Sequence, residues 1–244
     1  MTVSSAAKSD EPLSNARVTP WMWIRAVFVI AFIPALALFL PAWTLNWPMA
    51  WVYVALSIIF FAGSRAIVAH VHPDTLAERG KMLDHADAKQ WDRTLSPFVG
   101  LLGPLATYIL AGLVHRFGWG AQVPLWAQLV ALSVYVVCYV IGSWALVANR
   151  FFSGVVRIQT DRGHTVVSSG PYAIVRHPGY SSAAISYLAL PLLLGAYWAI
   201  IPAVVTIVLL VVRTALEDRT LRAELPGYEE YTLKTRYRLI PGIW

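Results

Sequence analysis

The residues between Gly163 and Tyr180 form the densest group able to do chemistry. They read Gly163-His164-Thr165-Val166-Val167-Ser168-Ser169-Gly170-Pro171-Tyr172, then Arg176-His177-Pro178-Gly179-Tyr180. Gly170-Pro171 sets a turn. Pro fits the first turn of a helix, so His177-Pro178 marks a helix start. Arg176 and His177 then stand at a helix N-terminus, among N–H groups with no partner inside the helix. Such a place can hold a carboxylate or a ribose hydroxyl, and Tyr172 and Tyr180 offer flat faces for an aromatic base. A plainer role fits the same residues: Arg176 reaching to lipid phosphates and His177 capping the helix.

Two further groups follow along the chain. Arg213 and Glu217 are four residues apart, on one face of a helix, with Asp218, Arg219 and Arg222 beside them. Read plainly, this is an exposed ion pair worth under about 1 kcal/mol. Read functionally, ionisable residues at the end of an apolar stretch mark a substrate path. The third group is Gly227-Tyr228-Glu229-Glu230-Tyr231 and Arg236-Tyr237-Arg238-Leu239-Ile240-Pro241. Its aromatic content argues for packing back onto the protein. His70, His72, Asp74 and His85 lack the spacing of a helical ligand pair, so no metal is expected. The chain contains no Gly-rich phosphate loop, G-x-S-x-G elbow or H-E-x-x-H.

The elements that must position these groups are membrane helices. Of 244 residues, 58% are hydrophobic and 13% charged, with 11 Trp, and mean hydropathy is +0.59. Soluble domains carry about 25% charged residues. Six apolar segments are predicted to span: Trp21–Leu40, Met49–Ile67, Leu95–Val114, Val123–Val147, Tyr180–Leu194 and Ala196–Val212. The last two form a tight hairpin at Gly195. A charged helix from Arg213 to Leu225 follows, stopped by Pro226-Gly227. With this count, every Lys and Arg except Arg116 falls on one side, which the positive-inside rule makes the cytosol. Both termini are expected there. The net charge of +6 then reflects anionic lipid and topology, and not nucleic acid. The lone Cys138 reads as a buried apolar residue.

The predicted fold is thus an all-α polytopic bundle whose C-terminal helix and tail cover a pocket. Three regions are expected: a disordered cytosolic tail over 1–20, a four-helix transmembrane region over 21–147, and a catalytic region over 148–244. Asp74 to Trp91 is expected to lie as an interfacial helix. The connection from Ala148 to Tyr180 is long enough to be functional. Its Val155-Val156 and Val166-Val167 pairs suggest a short extended segment.

In order and spacing, these groups resemble the isoprenylcysteine carboxyl methyltransferase family of integral membrane enzymes, whose relatives include phospholipid N-methyltransferases. The resemblance is carried by His164 to Val167, Ser169 to Tyr172, Arg176 to Tyr180, Arg213 with Glu217-Asp218, and Tyr228 to Pro241. It implies an S-adenosylmethionine-dependent methyltransferase acting on a lipophilic acceptor that enters from the bilayer. It further implies cofactor contacts from Gln159, His164, Thr165, Val166, Val167, Tyr172, His177, Pro178, Gly179 and Tyr180, with Arg213 and Glu217 engaging the acceptor. Asp218 departs from the family's usual Glu, a carboxylate reaching about 1.5 Å further. Carboxyl methylation of an isoprenylcysteine-like substrate leads. Methylation of a phospholipid amine or small thiol, an NADPH-dependent sterol-type reductase with a similar Arg-His-Pro segment, and a non-enzymatic membrane protein stand as alternatives.

Overall fold

The computed structural model describes residues 20–80 and 87–244. The expected N-terminal tail lies outside them, as do His85 and the middle of the Asp74–Trp91 segment. The described residues contain helices and turns but no strand, so the extended segment expected near Val155 and Val166 is absent among them. The helices are α1 (Pro20–Ala42), α2 (Pro48–Val71), α3 (Pro73–Gly80), α4 (Gln90–Pro97), α5 (Gly103–Phe117), α6 (Leu125–Ala148), α7 (Pro178–Leu193), α8 (Ile200–Glu224) and α9 (Tyr228–Lys234).

Among the described residues, four stretches are long and apolar enough to cross a membrane: Pro48–Val71, Gln90–Phe117, Leu125–Ala148 and Tyr197–Glu224. The chain is an integral membrane protein. The first predicted span falls within α1, a helix of 23 residues. The structure departs from the sequence expectation in two places. The fifth segment is α7, whose 16 residues rise only about 24 Å, less than a hydrocarbon core of about 30 Å. The sixth segment and the charged helix after it are one unbroken helix, α8. No Gly or Pro interrupts Val212-Arg213, and helix propagation costs less than a new start.

Helix α4 runs into α5 through a π turn at Phe98–Leu102, placed at Pro97, whose ring cannot donate to the ladder. The bundle pairs α6 with α7, α1 with α5 and α2, and α8 with α5 and α7. Small residues set the close crossings, as expected where lipid supplies no hydrophobic drive between helices. A Cβ on Gly112 would come within 2.5 Å of Leu38 O, so Gly112→Ala would push α1 off α5. Around this crossing lies the core of Leu38, Ala50, Ala111, Leu193 and Leu194. Gly195, at φ +71, turns the chain between α7 and the 3₁₀ turn before α8.

Polar material gathers at one end of the bundle. There α3, the start of α4, residues 149–177, the end of α8 and the tail meet. Helix α8 is extended by the Tyr197–Ala199 turn to 28 residues, about 42 Å at helical rise. It therefore outlasts the hydrocarbon core and carries Arg213, Glu217 and Asp218 into this polar layer.

Candidate functional site

Residues 149–177 cross the polar end of the bundle in an irregular path fixed by buried ion pairs. Arg157 bonds Glu78 at 2.9 Å, Asp87 at 2.8 Å and Asp161 at 2.9 and 3.1 Å. Burial works against the charge on Arg157, but these three carboxylates outweigh it and hold the guanidinium protonated. Hydrogen bonds from Arg157 in turn hold the Asp161 carboxyl below its usual range. Arg162 bonds Gln159 Oε1, Asp74 at 2.6 Å and Arg150 O at 2.8 Å. The turn at Thr160–Arg162 closes on Gly163, which sits at φ +61 where a Cβ would be strained.

Asp92, fully buried on α4, ties this path to α8. It accepts from Val156 N at 2.7 Å and from Arg213 Nε and Nη2 at 2.6 and 3.1 Å. A second buried carboxylate, Asp218, holds the tail. It accepts from Arg176 Nε at 2.7 Å, Arg238 Nε at 2.8 Å and the Tyr228 hydroxyl at 3.1 Å. His177 Nε2 lies 3.4 Å away. Arg176 also donates to Thr235 O and Arg236 O. The N–H groups of Arg176 and His177 donate to Tyr237 O and Arg238 O, both at 2.9 Å. The helix-start donors predicted to be open are therefore spent on the tail. Leu225, Tyr228 and Tyr231 then pack over Ile158, Val166 and Leu221, as the aromatic content of the tail suggested.

Between this roof and the bundle lies a cavity of about 100 Å³ that opens to solvent. Of the residues singled out from sequence, Gln159, His164, Thr165, Val166, Val167, Tyr172, His177, Gly179, Tyr180 and Glu217 line it. Pro178 and Arg213 are not on its wall. Pro178 is buried in the first turn of α7. Arg213 is spent on Asp92 and Gly154 O, its guanidinium 5.2 Å from the centre of the Tyr180 ring. Phe151, Phe152, Tyr228 and Tyr231 complete the aromatic lining. Asp92, Arg157 and Phe152 were not predicted. A lone acid at the foot of an apolar run was the available signal for Asp92. It is the same signal that drew attention to Glu217.

The charges on this wall differ in their freedom. Arg157 and Arg176 are both committed to carboxylates. Glu217 accepts from the Tyr180 hydroxyl at 2.6 Å through one oxygen. Among the described residues its other oxygen has no hydrogen-bond partner. The wall thus offers an open carboxylate and no open guanidinium, which suits a cation better than a phosphate.

His164 stacks on Phe151 with ring centres 4.5 Å apart. Its Nδ1 accepts from Gln159 N at 3.3 Å, so the neutral ring carries its proton on Nε2. Burial, with Arg162 and Arg157 nearby, pushes its pKa down to about 4 from 6.5. The depressed value means the unfolded chain binds the proton first. His164 therefore stabilises the fold above about pH 6.5, and that contribution fades as pH falls toward 4. His164→Gln is expected to flatten the loss of unfolding temperature between pH 7 and 5. An unchanged slope would remove His164 as its source.

The chain is thus a polytopic helical bundle with a roofed, aromatic-lined cavity at its polar end. Residues 126–223 match the model of the Isoprenylcysteine carboxyl methyltransferase (ICMT) family. The match runs through α6, the cavity-lining path, α7 and nearly all of α8, so the resemblance carried by His164 to Asp218 holds over this stretch. No curated protein matches the chain. The family match supports a membrane methyltransferase.

Proposed function

We propose that the protein transfers a methyl group from S-adenosylmethionine to a lipophilic acceptor, with carboxyl methylation of an isoprenylcysteine-like molecule as the leading case. The observation that carries this reading is the joint lining of one cavity by residues 151–180, Glu217 and the Tyr228–Tyr231 roof. These stretches lie far apart in sequence, and they include Gln159, His164 to Val167, Tyr172, His177, Gly179, Tyr180 and Glu217, to which the family resemblance assigns cofactor and acceptor roles.

The residues present fit this cofactor. The aromatic faces of Phe151, Tyr228 and Tyr231 suit an adenine, the Nε2–H of His164 can donate to a ribose or carboxylate oxygen, and the open oxygen of Glu217 suits a cation. When bound, S-adenosylmethionine supplies an electrophilic methyl on a sulfonium. The protein's part is mainly to position, since in-line displacement gains most from held geometry. A carboxylate acceptor is already ionised at pH 7 and needs no general base. Tyr180, fixed by its bond to Glu217, sets the floor between the cavity and the bundle. We assign catalysis to residues 148–244 and the polar end to the cytosol, where the cofactor enters.

Calorimetric titration of the protein in lipid nanodiscs tests the reading against the dinucleotide alternative. S-adenosylmethionine is expected to bind and NADPH to give no heat. Incubation with a lipid extract is then expected to yield a product heavier by one methyl group. Binding of NADPH without S-adenosylmethionine would replace the methyltransferase by a reductase.

A further inference from the structure

Beyond the clasp on Arg176 and His177, the tail closes into a compact turn over residues 240–244. Ile243 N and Trp244 N donate to Ile240 O at 3.1 and 3.2 Å. Arg238 N, Leu239 N and Ile240 N converge on Trp244 O at 2.8, 3.0 and 3.4 Å. Pro241 has no N–H, so across 238–244 only Gly242 keeps an open backbone donor among the described residues. A backbone satisfied by itself can enter lipid, where open donors are costly. The side chains that the turn presents outward are apolar. Ile240 is 43% exposed, and Ile243, at 76%, is the most exposed large hydrophobic among the described residues.

The clasp fixes where this turn lies. Tyr237 O and Arg238 O accept from Arg176 N and His177 N, and Leu239 O accepts from Ser181 Oγ at 2.7 Å. Residues 237–239 therefore run along the start of α7 toward its apolar body, and the turn sits beside the first turns of that helix. One turn further along α7, Ile185 and Leu188 are exposed, as a lipid-facing surface requires. Trp144, near the end of α6, is exposed too, and a Cβ on Gly170 would lie 3.2 Å from its Nε1. Exposed Trp side chains gather at the water–lipid boundary. Helix α7, at 16 residues, is too short for about 30 Å of hydrocarbon, and the turn extends its apolar surface at the polar end.

Charge completes the pattern. Residues 234–244 contain Lys234, Arg236 and Arg238 and no acid. Lys234 and Arg236 are exposed, with no carboxylate partner among the described residues. Arg238 gives Nε to Asp218, and its guanidinium lies 4.7 Å from the centre of the Trp244 ring. An apolar tip with a basic collar fits a leaflet that carries anionic headgroups. A second copy of the chain would set the same cations against each other. We infer that the Ile240–Trp244 turn inserts into the leaflet at the polar end of the bundle, and that anionic phospholipid there holds the cavity roof in place. The inference concerns tail and bilayer and does not depend on methyl transfer.

The test places the full chain in phosphatidylcholine nanodiscs, with or without phosphatidylglycerol. With Cys138→Ala as background, Ile243→Cys carries one environment-sensitive fluorophore. Phospholipids brominated on the acyl chain are expected to quench it, more strongly when phosphatidylglycerol is present. The same label at Glu230→Cys, exposed on α9, is expected to stay unquenched. An unquenched label at 243 overturns the inference, whether its emission reports water or a covering protein surface. Quenching indifferent to phosphatidylglycerol overturns the role of anionic lipid. In the chain without a label, Ile240→Asp with Ile243→Asp is expected to speed tryptic cleavage after Lys234 and Arg236 about tenfold in phosphatidylglycerol discs, the scale of withdrawing exposed isoleucines from lipid. In detergent micelles, where no leaflet exists, the same variant is expected to unfold at the parent's temperature, which separates lost anchoring from lost fold. Cleavage of the folded variant at the parent's rate overturns the hold on the roof.

Discussion

Asp218→Ala is expected to abolish the roofed cavity, because it releases the tail from the bundle. Asp218 is fully buried, and Arg176, Arg238 and Tyr228 bond it, with Arg222 at 3.4 Å. Removing one member of a buried ion cluster costs about 3–5 kcal/mol, since the partners keep their desolvation penalty and lose the charge that offset it. Here guanidinium groups would be left facing one another. The measurement is thermal unfolding in nanodiscs together with protease sensitivity after Leu225. A large fall in unfolding temperature and early cleavage of the tail are expected. Asp218→Glu is the informative companion, because it keeps the charge and adds one methylene to a crowded cluster. The longer chain must fold back among Arg176, His177 and Tyr228, so it should be tolerated less well than a conservative change usually is. A variant as stable as the parent would show that the cluster has slack.

The second large effect concerns Arg213. Arg213→Lys should cost most of the methyl-transfer activity while S-adenosylmethionine still binds. The structure adds a control that separates two causes. Arg213 donates through Nε and Nη2 to Asp92, so lysine loses a two-point contact that an ammonium cannot copy. Asp92→Asn leaves Arg213 in place but removes the charge that fixes it. If Arg213 acts by touching the acceptor, Asp92→Asn should keep substantial turnover while KM shifts. If Arg213 acts by pinning the 149–177 path to α8, both variants should lose stability by about 3–5 kcal/mol and activity in parallel. The observed geometry, with Arg213 off the cavity wall, favours the parallel loss. Loss of activity at full stability in Arg213→Lys alone would restore direct contact with substrate.

Much of the fold was legible because lipid imposes simple rules. Apolar runs near Met49, Leu95, Val123 and Ala196 became long helices, since backbone groups in hydrocarbon must be satisfied within the helix. Helix α7 was less legible. Its Pro178 start was plain, but hydropathy alone does not say that 16 residues fall short of crossing. The break placed before Arg213 was misread because a change in polarity looks like a change in structure. In α8 the backbone ladder continues while only the surroundings change.

The site was legible where a motif is compact. His164 to Val167 and His177 to Tyr180 are near in sequence, and the cavity gathers most of them. What stayed hidden were partners set by long-range packing. Nothing local says that Arg213 will meet Asp92, which lies 121 residues away, or that Arg176 will spend itself on Asp218 and the carbonyls of Thr235 and Arg236. In sequence, Asp218 looked like a shortened stand-in for the Glu of the family it resembles. Its short side chain instead fits a crowded crossing of three arginines and a tyrosine.

The clasp between the start of α7 and residues 235–238 also dictates an order of birth. Arg176 leaves the ribosome about sixty residues before the carbonyls it holds, Thr235 lying 59 positions on. The lipid-embedded floor must therefore be laid down first, with Asp218 and the greasy underside of Tyr228 and Tyr231 waiting for their lid. During synthesis the cavity stays unroofed until residues 235–238 reach the start of α7.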